Sequence, residues 1–208
     1  MDESIDSRTS LLLGEDSVKT LKDKRVAVFG LGGVGGTAFE ALVRTGVGHI
    51  FAIDRDVVSI SNLNRQMLYT SDQIGAQKAL CAFLRSKLIR DDVEVLPENY
   101  SVTYEALNER DYSSCDIMLD CVDDVKAKVA LMKYSIEKNI PLLICLGMGN
   151  RMDPSKLKMV SLKKTEMDPL AKALRTAARK EGLPLERFMC VISTEDPLVK
   201  LPKPSSIM

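Results

Sequence analysis

The sequence predicts an α/β fold: an open, doubly wound, mostly parallel sheet with helices on both faces and a short C-terminal extension. Three observations predict it. Short β-branched apolar runs alternate with segments whose apolar residues recur at helical spacing. A glycine-rich turn follows the first run, and an acidic residue closes the next one. Strands and helices that alternate in this way favour a parallel sheet covered on both faces.

The first unit runs from Arg25 to Asp54. The stretch "RVAVFG" predicts a strand that ends in glycine, and "VGGTAFEALVRTGV" predicts the helix that follows it. A second predicted strand, "HIFAID", closes at Asp54. A strand, a glycine turn, a helix and a strand within about 30 residues form the βαβ unit of a Rossmann-like fold.

The same alternation continues along the chain. Helices are predicted in "AQKALCAFLRSKLI" and "VKAKVALMKYSIEKN", and strands in "VEVLPEN", "CDIMLDCVDD" and "IPLLICLG". After Gly149 we expect a strand from Leu157 to Leu162, a helix that begins near Asp168 and a strand from Phe188 to Ser193. The last stretch, "EDPLVKLPKPSSIM", is rich in proline and predicts irregular structure.

The length suits one domain, residues 1–208, with three parts. Residues 1–24 form an N-terminal arm or helix, residues 25–150 the core that carries the glycine-rich turn, and residues 151–208 an extension. The five cysteines contain no CxxC pair and there is a single histidine, so the sequence disfavours a structural zinc site of paired knuckles. Scattered cysteines, no signal sequence and no membrane span predict a cytoplasmic protein. Zero net charge gives no overall field that would attract nucleic acid.

The glycine loop predicts a nucleotide site. Gly30, Gly32 and Gly35 fit the G-x-G-x-x-G pattern, and Gly33 lies within it. Glycines at this turn allow backbone N–H groups to approach phosphate oxygens at a helix N-terminus, and an acid about 20 residues later can hold a ribose. No Gly-Lys-Ser/Thr sequence follows, so the loop is not a P-loop. The pattern alone leaves NAD, FAD and ATP open.

The polar run after the acid favours ATP. A dehydrogenase needs only Asp54 here, whereas a triphosphate needs cations and amides around it. The run supplies both, as the cations Arg65 and Lys78 and the amides Asn62 and Gln66. The strand end "LDCVDD" adds carboxylates for a magnesium ion on the phosphates. Asp123 is the first candidate there and Asp120 the second.

The order "GLGGVGG", "AIDRDVVSISNLNRQ", Lys78 and "LDCVDD" resembles the ThiF/MoeB family, the ATP-dependent enzymes that include the activators of ubiquitin-like modifiers. These enzymes adenylate a carboxylate and release pyrophosphate. The resemblance implies ATP and Mg²⁺ as ligands, with Asp54 on the ribose and Asp123 on the metal. It also implies a homodimer in which Arg8 reaches the triphosphate of the partner subunit. The implied ATP contacts are Gly30, Gly32, Gly33, Gly35, Asp54, Asn62, Arg65, Gln66 and Lys78, and the implied catalytic residues are Arg65, Lys78, Asp123 and Arg8.

Within that family, "DPSKL", "DPLAKALR" and "CVISTEDP" resemble the tRNA threonylcarbamoyladenosine dehydratases. This resemblance implies that ATP activates the threonyl carboxylate of the modified adenosine, and that a nitrogen or oxygen of the same group then closes a ring with net loss of water. Because the attack is intramolecular, no protein nucleophile is required. We therefore expect Cys190 and Cys121 to be core thiols.

Residues 151–190 hold twice as many Lys and Arg as Asp and Glu. This excess fits either tRNA phosphates or a solvated surface. The basic residues concerned are Lys156, Lys158, Lys163, Lys164, Arg175, Arg179 and Lys180.

Three alternatives stay open at the level of sequence: an activator of a ThiS- or MoaD-like sulfur carrier, an NAD-dependent oxidoreductase, and a nucleotide-binding module without turnover. A sulfur-transfer protein is a further expected partner. Dehydratases of this branch continue beyond the matching segment with a strand and an apolar helix, whereas this sequence ends at Met208. We expect either a short member of the branch or a dimer that covers the sheet edge differently.

Overall fold

The computed structural model describes residues 4–166 and 168–198, and the proline-rich stretch from residue 199 onward lies outside the described residues. A single seven-stranded sheet has the order β3-β2-β1-β4-β5-β7-β6. All neighbouring strands are parallel except β6, which runs antiparallel to β7. The strands are β1 (Arg25–Phe29), β2 (His49–Ile53), β3 (Glu94–Glu98), β4 (Ile117–Asp120), β5 (Leu142–Cys145), β6 (Leu157–Ser161) and β7 (Met189–Ser193).

Helices cover both faces of the sheet, which confirms the predicted fold class. One face is packed by α3 and α4, and the other by α5, α6 and α7. The helices are α1 (Ser7–Leu13), α2 (Glu15–Lys22), α3 (Gly33–Thr45), α4 (Lys78–Ile89), α5 (Tyr104–Asn108), α6 (Val125–Glu137) and α7 (Pro169–Lys180).

The central strand β1 shows why the apolar runs are continuous and do not alternate with polar residues. Val26 and Val28 belong to the core beneath α3, while Ala27 and Phe29 belong to the core beneath α6. A strand buried on both faces needs apolar side chains at every position. Strand β1 therefore lies in the middle of the sheet. Its carboxyl end lies at the same end of the sheet as the carboxyl ends of its parallel neighbours β2 and β4.

The C-terminal segment completes the sheet and is continuous with the core. Strand β7 pairs in parallel with β5, and its Cys190 lies opposite Ile144. Leu162 and Leu174 are buried in the same apolar cluster as Phe29 of β1. The predicted division at residue 150 thus falls inside one packed unit. The expected strands and helix after Gly149 are present as β6, α7 and β7.

A charged cluster anchors the N-terminal helices at the amino end of the sheet. The Arg90 guanidinium donates to Asp6 at 2.9 Å and to Asp92 at 2.6 Å, and its side chain is 2% exposed. Asp6 directly precedes α1, and Arg90 follows α4 on the way to β3. The start of α1 is therefore held at the end of the sheet opposite the carboxyl ends of the strands. No helix in residues 4–166 or 168–198 combines the length and the apolar character that crossing a membrane would require.

Candidate active site

A cleft lies at the carboxyl ends of the parallel strands, where the strand order changes direction between β1 and β4. Its volume is about 650 Å³. Ligands of open α/β sheets bind at this position, because loops from neighbouring strands diverge there. The predicted residues that line the cleft are Gly30, Gly32, Gly33, Asp54, Asn62, Arg65, Gln66, Lys78 and Asp123.

Two glycines of the loop are required by packing. Gly30 has φ +86°, and a Cβ there would lie 2.8 Å from the carbonyl oxygen of Cys121. A Cβ on Gly35 would lie 1.8 Å from the carbonyl oxygen of Gly30. Gly35 is buried within α3 and is not among the residues that line the cleft. It lets the helix approach the strand, as the third glycine of this pattern does.

Gly32 is different, because packing does not require it. The nearest atom to a Cβ at this position is Nε2 of Gln66, at 3.8 Å, which is an ordinary contact. Gly32 precedes α3, and Gly33 is the first residue of that helix. The first N–H groups of a helix have no partner within it and attract anions. A bare backbone at Gly32 thus leaves room for a phosphate at the start of α3.

Asp54 ties the glycine loop to the end of β2. One carboxylate oxygen accepts from the N–H of Leu31 at 2.7 Å, and the other accepts from the N–H of Asp56 at 2.8 Å. The side chain is almost fully buried. Each oxygen of a carboxylate has a second lone pair, so these bonds hold Asp54 in place and still leave acceptor capacity toward the cleft.

The amides of the polar run are buried at the cleft wall. Asn62 ends a short 3₁₀ turn, and its Oδ1 accepts from the N–H of Ser59 at 3.0 Å. Oε1 of Gln66 is buried and has no hydrogen-bond partner among the described residues. An unpaired buried polar atom costs about 1–3 kcal/mol, so it needs a partner that a ligand would bring. Nε2 of the same side chain is the atom nearest to a Cβ at Gly32, at 3.8 Å, so the amide already presents a donor to the phosphate position.

Lys78 is a buried cation at the N-terminus of a helix, where a positive charge is unfavourable. It is the first residue of α4 and is 5% exposed. The N-terminus of a helix carries partial positive charge and repels an ammonium. Its Nζ lies 3.4 Å from the carboxylate of Asp56, which is largely exposed. A triphosphate would supply the negative charge that this ammonium needs.

Arg65 and Asp123 are exposed at the rim. Arg65 donates to the carbonyl oxygen of Ser61 at 2.9 Å and to Oδ1 of Asn64 at 3.1 Å. Asp123 follows β4, and its neighbour Asp124 is already used to cap α6 through the N–H of Ala127.

The second magnesium candidate, Asp120, does not line the cleft. It is fully buried, and its Oδ1 lies 2.9 Å from Nζ of Lys128. Burial raises the pKa of Asp120, and the Lys128 ammonium opposes that rise. Lys128 also donates to the carbonyl oxygen of Cys145 at 2.8 Å. This ion pair therefore joins the ends of β4 and β5 from inside the core.

Arg8 lies apart from the cleft of its own chain. It is an exposed residue of α1, two positions after Asp6, which Arg90 holds at the opposite end of the sheet. Nine of the predicted residues line the cleft, whereas Arg8, Gly35 and Asp120 do not.

Several residues of the site were missed by the sequence analysis. Asp168 accepts from the N–H of Gly147 at the cleft and from the N–H groups that begin α7. It thereby fixes the loop after β5, although Asp168 reads in sequence only as a helix cap. Asp56 pairs with Lys78. Tyr100, beyond β3, lines the cleft and donates to or accepts from the hydroxyl of Tyr112 at 2.7 Å.

The cysteines divide into two groups. Cys190 is buried as expected, and burial raises its pKa to about 12. The prediction that Cys121 is a core thiol is wrong in part. Cys121 is half-buried and lines the cleft, because it follows the last residue of β4 at the carboxyl edge of the sheet.

A scan for families finds that residues 7–155 match the ThiF family. The chain belongs to the ThiF family. The matched residues run from α1 to the turn before β6, so they include the whole cleft except Leu170 of α7.

Two similar proteins indicate which branch of the ThiF family this chain resembles. A tRNA threonylcarbamoyladenosine dehydratase of Bacillus subtilis is 36% identical over 193 residues, which are 93% of this chain and 76% of the relative. The tRNA threonylcarbamoyladenosine dehydratase of Escherichia coli has been solved with AMP and with ATP. These structures superpose with TM-scores of 0.87 and 0.83, at 34% identity, and the match covers 91% of this chain and 81% of theirs.

Proposed function

We propose that this chain is an ATP-dependent tRNA threonylcarbamoyladenosine dehydratase, which adenylates the threonyl carboxylate of the modified adenosine and closes it into a ring. The observation that carries the proposal is the buried ammonium of Lys78 at the cleft of a ThiF-family chain. An oxidoreductase has no need for that charge. The similarity to dehydratases over 93% of the chain selects the substrate class.

We assign the ATP contacts from the position of each group. The start of α3, at Gly32 and Gly33, holds phosphate oxygens, and Asp54 holds the ribose hydroxyls. Lys78 and Arg65 neutralise the phosphates, and Asn62 and Gln66 orient them. The exposed guanidinium of Arg65 can turn to the ligand, whereas the buried Lys78 is already in place.

A magnesium ion fits the donor set, with Asp123 as its protein ligand. Magnesium on ATP takes one or two carboxylates, phosphate oxygens and water, so it does not need an all-protein cage. Phosphate oxygens and water would complete the coordination beside Asp123. When bound, the ion would offset charge on the phosphates.

The reaction then requires two displacements. An oxygen of the threonyl carboxylate attacks the α-phosphorus of ATP, and the bond to pyrophosphate breaks. A nitrogen or oxygen of the same modified residue next attacks the acyl carbon, and AMP leaves with the carboxylate oxygen that had attacked the phosphorus, while the other carboxylate oxygen stays on the acyl carbon and one proton is released. Arg65 and Lys78 stabilise the charge that develops on the phosphate in the first step. Because the second attack is intramolecular, the chain's role there is to hold both ends of the residue together.

Two partners belong to this proposal. In a homodimer, Arg8 of one protomer would approach the triphosphate of the other, which accounts for its distance from the cleft of its own chain. A sulfur-transfer protein stays a prediction from the sequence, as does the cytoplasmic location.

For tRNA, position in the fold favours Lys156 and Lys158 among the basic residues. Lys156 directly precedes β6, and Lys158 lies in the half of β6 that pairs with the carboxyl end of β7, on the cleft side of the sheet. Lys163 and Lys164 follow β6 at the opposite end, and Lys163 is paired with Glu186. Arg175 is used within the fold, where it donates to Thr165.

Charge reversal separates these two pairs. We expect Lys156→Glu with Lys158→Glu to weaken tRNA binding and to lower the slope of log K against log salt by about one per lost phosphate contact. The double variant Lys163→Glu with Lys164→Glu is the matched control and should bind as wild type. Equal effects of the two double variants would refute this assignment.

The proposed reaction is tested by product analysis. The full chain is incubated with ATP, magnesium and tRNA that carries threonylcarbamoyladenosine, and the nucleosides are then analysed by mass spectrometry. The proposal predicts a nucleoside lighter by one water, formed only with ATP. Unchanged nucleoside, with a folded protein that binds ATP, would reject the dehydratase assignment.

A further inference from the structure

Two thiols face each other on the floor of the cleft. Sγ of Cys121 lies 3.7 Å from Sγ of Cys145, and both residues line the cleft. The other three cysteines, Cys81, Cys115 and Cys190, are buried. The pair is thus the one dithiol among the described residues that is both close and open to a small reagent.

The sheet register places these cysteines directly opposite each other. Strands β4 and β5 are parallel, and their last registered pair is Asp120 with Ile144. Cys121 and Cys145 are the next residues after this pair on the two strands. Neighbouring strands lie about 4.8 Å apart, which falls within the Cα separation of about 4.4–6.8 Å that a disulfide spans.

We propose that Cys121 and Cys145 form a reversible disulfide that weakens nucleotide binding. The oxidant is a peroxide. One thiol attacks a peroxide oxygen to give a sulfenic acid and one water, and the second thiol attacks the sulfenic sulfur to give the S–S bond and a second water. The two thiols together lose two electrons and two protons, which the peroxide accepts. A reducing dithiol reverses the change by thiol–disulfide exchange.

The link to the nucleotide is made by the glycine loop, which rests on Cys121. A Cβ on Gly30 would lie 2.8 Å from the carbonyl oxygen of Cys121, and a Cβ on Gly35 would lie 2.9 Å from its Cβ. Formation of the bond closes the sulfur separation from 3.7 Å to about 2.05 Å. The N–H of Cys121 donates to the carbonyl oxygen of Phe29 at 2.8 Å, so a shift of Cys121 toward β5 pulls on the residue that precedes Gly30. Displacement of the loop disturbs the phosphate position at the start of α3.

The carbonyl group of Cys145 is held from the opposite direction. It accepts from Nζ of the fully buried Lys128 at 2.8 Å, and Lys128 is paired with Asp120. Since this bond restrains the backbone of Cys145, most of the movement falls on Cys121 and on the glycines above it.

The experiment has two independent readings on the full chain. After hydrogen peroxide treatment, free thiols are alkylated and peptides are mapped by mass spectrometry. We expect a linked Cys121–Cys145 peptide, with Cys81, Cys115 and Cys190 alkylated after denaturation. ATP affinity is then measured on reduced, oxidised and re-reduced protein, and we expect about tenfold weaker binding when oxidised, with recovery after dithiothreitol. Only the measurement of ATP affinity rests on the proposed function. If the reduced protein fails to bind ATP, the proposed function is wrong, but the peptide map still shows whether the disulfide forms.

Variants and protection make the test specific. Cys145→Ala should lose the reversible effect of peroxide on ATP affinity, and Cys190→Ala, the matched control, should keep it. By reciprocity, saturating ATP should lower the fraction of wild-type protein that carries the disulfide at equilibrium in a dithiothreitol redox buffer, and this measurement needs no variant. The proposal is overturned if peroxide gives no linked peptide, or if oxidised and reduced protein bind ATP equally.

Discussion

Gly32 and Gly35 belong to one glycine motif, but alanine should affect different properties at the two positions. Gly35→Ala should lower stability, whereas Gly32→Ala should lower ATP affinity. At Gly35 the added Cβ would lie 1.8 Å from the carbonyl oxygen of Gly30, whose own N–H is bonded to β2 at 2.8 Å. Because 1.8 Å is far inside van der Waals contact with a backbone atom, the cost of overpacking should reach or exceed about 3 kcal/mol, the upper end of the usual range, whereas the gain in helix propensity is only about 1 kcal/mol. We expect a net loss of about 2 kcal/mol or more, which lowers Tm by about 4–8 °C for a domain of this size.

At Gly32 the nearest atom to the added Cβ is 3.8 Å away. The substitution should cost less than about 1 kcal/mol, through the weaker capping preference of alanine. The methyl group would enter the space assigned to phosphate. Loss of one charged hydrogen bond, about 1.5–3 kcal/mol, weakens ATP binding by about 10- to 150-fold.

Calorimetry and thermal unfolding separate the two effects. Gly32→Ala should unfold near the wild-type temperature and bind ATP poorly, whereas Gly35→Ala should unfold early. A folded Gly32→Ala protein with wild-type ATP affinity would refute the phosphate position. A Gly35→Ala protein as stable as wild type would refute the packing argument.

Three single side chains give further predictions. Lys78→Met should change the free energy of unfolding by less than about 1 kcal/mol, because loss of the ion pair with Asp56 is offset by removal of a cation from a helix N-terminus. The same variant should bind ATP at least about tenfold more weakly, and unchanged affinity in titration calorimetry would contradict this. Asp123→Asn should leave Tm unchanged and raise the magnesium concentration needed for adenylation, and an unaltered magnesium dependence would remove Asp123 from the metal site. Arg90 lowers the pKa of Asp92 to about 2, so this pair stabilises the fold above about pH 4, and the contribution is lost as pH falls from about 4 to 2. Because the Asp92 side chain is 41% exposed and solvent screens the pair, Arg90→Met should destabilise the protein by only about 1–2 kcal/mol near neutral pH. The variant should also show a flatter acid unfolding profile between about pH 4 and 2, and an unaltered profile in acid titration followed by circular dichroism would contradict this.

The sequence was sufficient for the parts of the fold that depend on local pattern. Continuous apolar runs predicted β1 and β5, because strands buried on both faces need apolar residues throughout. Helix α5 was missed, since its five residues are too few to show a helical period and it depends on the Thr103 cap. The reversed direction of β6 was not predicted either, because an apolar pattern does not encode strand direction.

For the site, local motifs located the cleft, and long-range contacts supplied the rest. The glycine spacing and the run from Asn62 to Lys78 predicted residues that do meet in one cleft. The bond between Asp168 and Gly147 joins residues that are distant in sequence, as does the approach of Cys121 to Cys145. Such contacts depend on strand order and register, and neither the glycine motif nor the polar run from Asn62 to Lys78 carries that information.

The central claim is that the cleft adenylates a carboxylate of modified tRNA. ATP–pyrophosphate exchange tests it most directly, on purified protein with magnesium, with and without tRNA that carries threonylcarbamoyladenosine. The account predicts exchange that depends on that tRNA and is abolished by Lys78→Met. Absence of exchange with the modified tRNA, from protein that binds ATP, would contradict the account and leave a nucleotide-binding module without turnover.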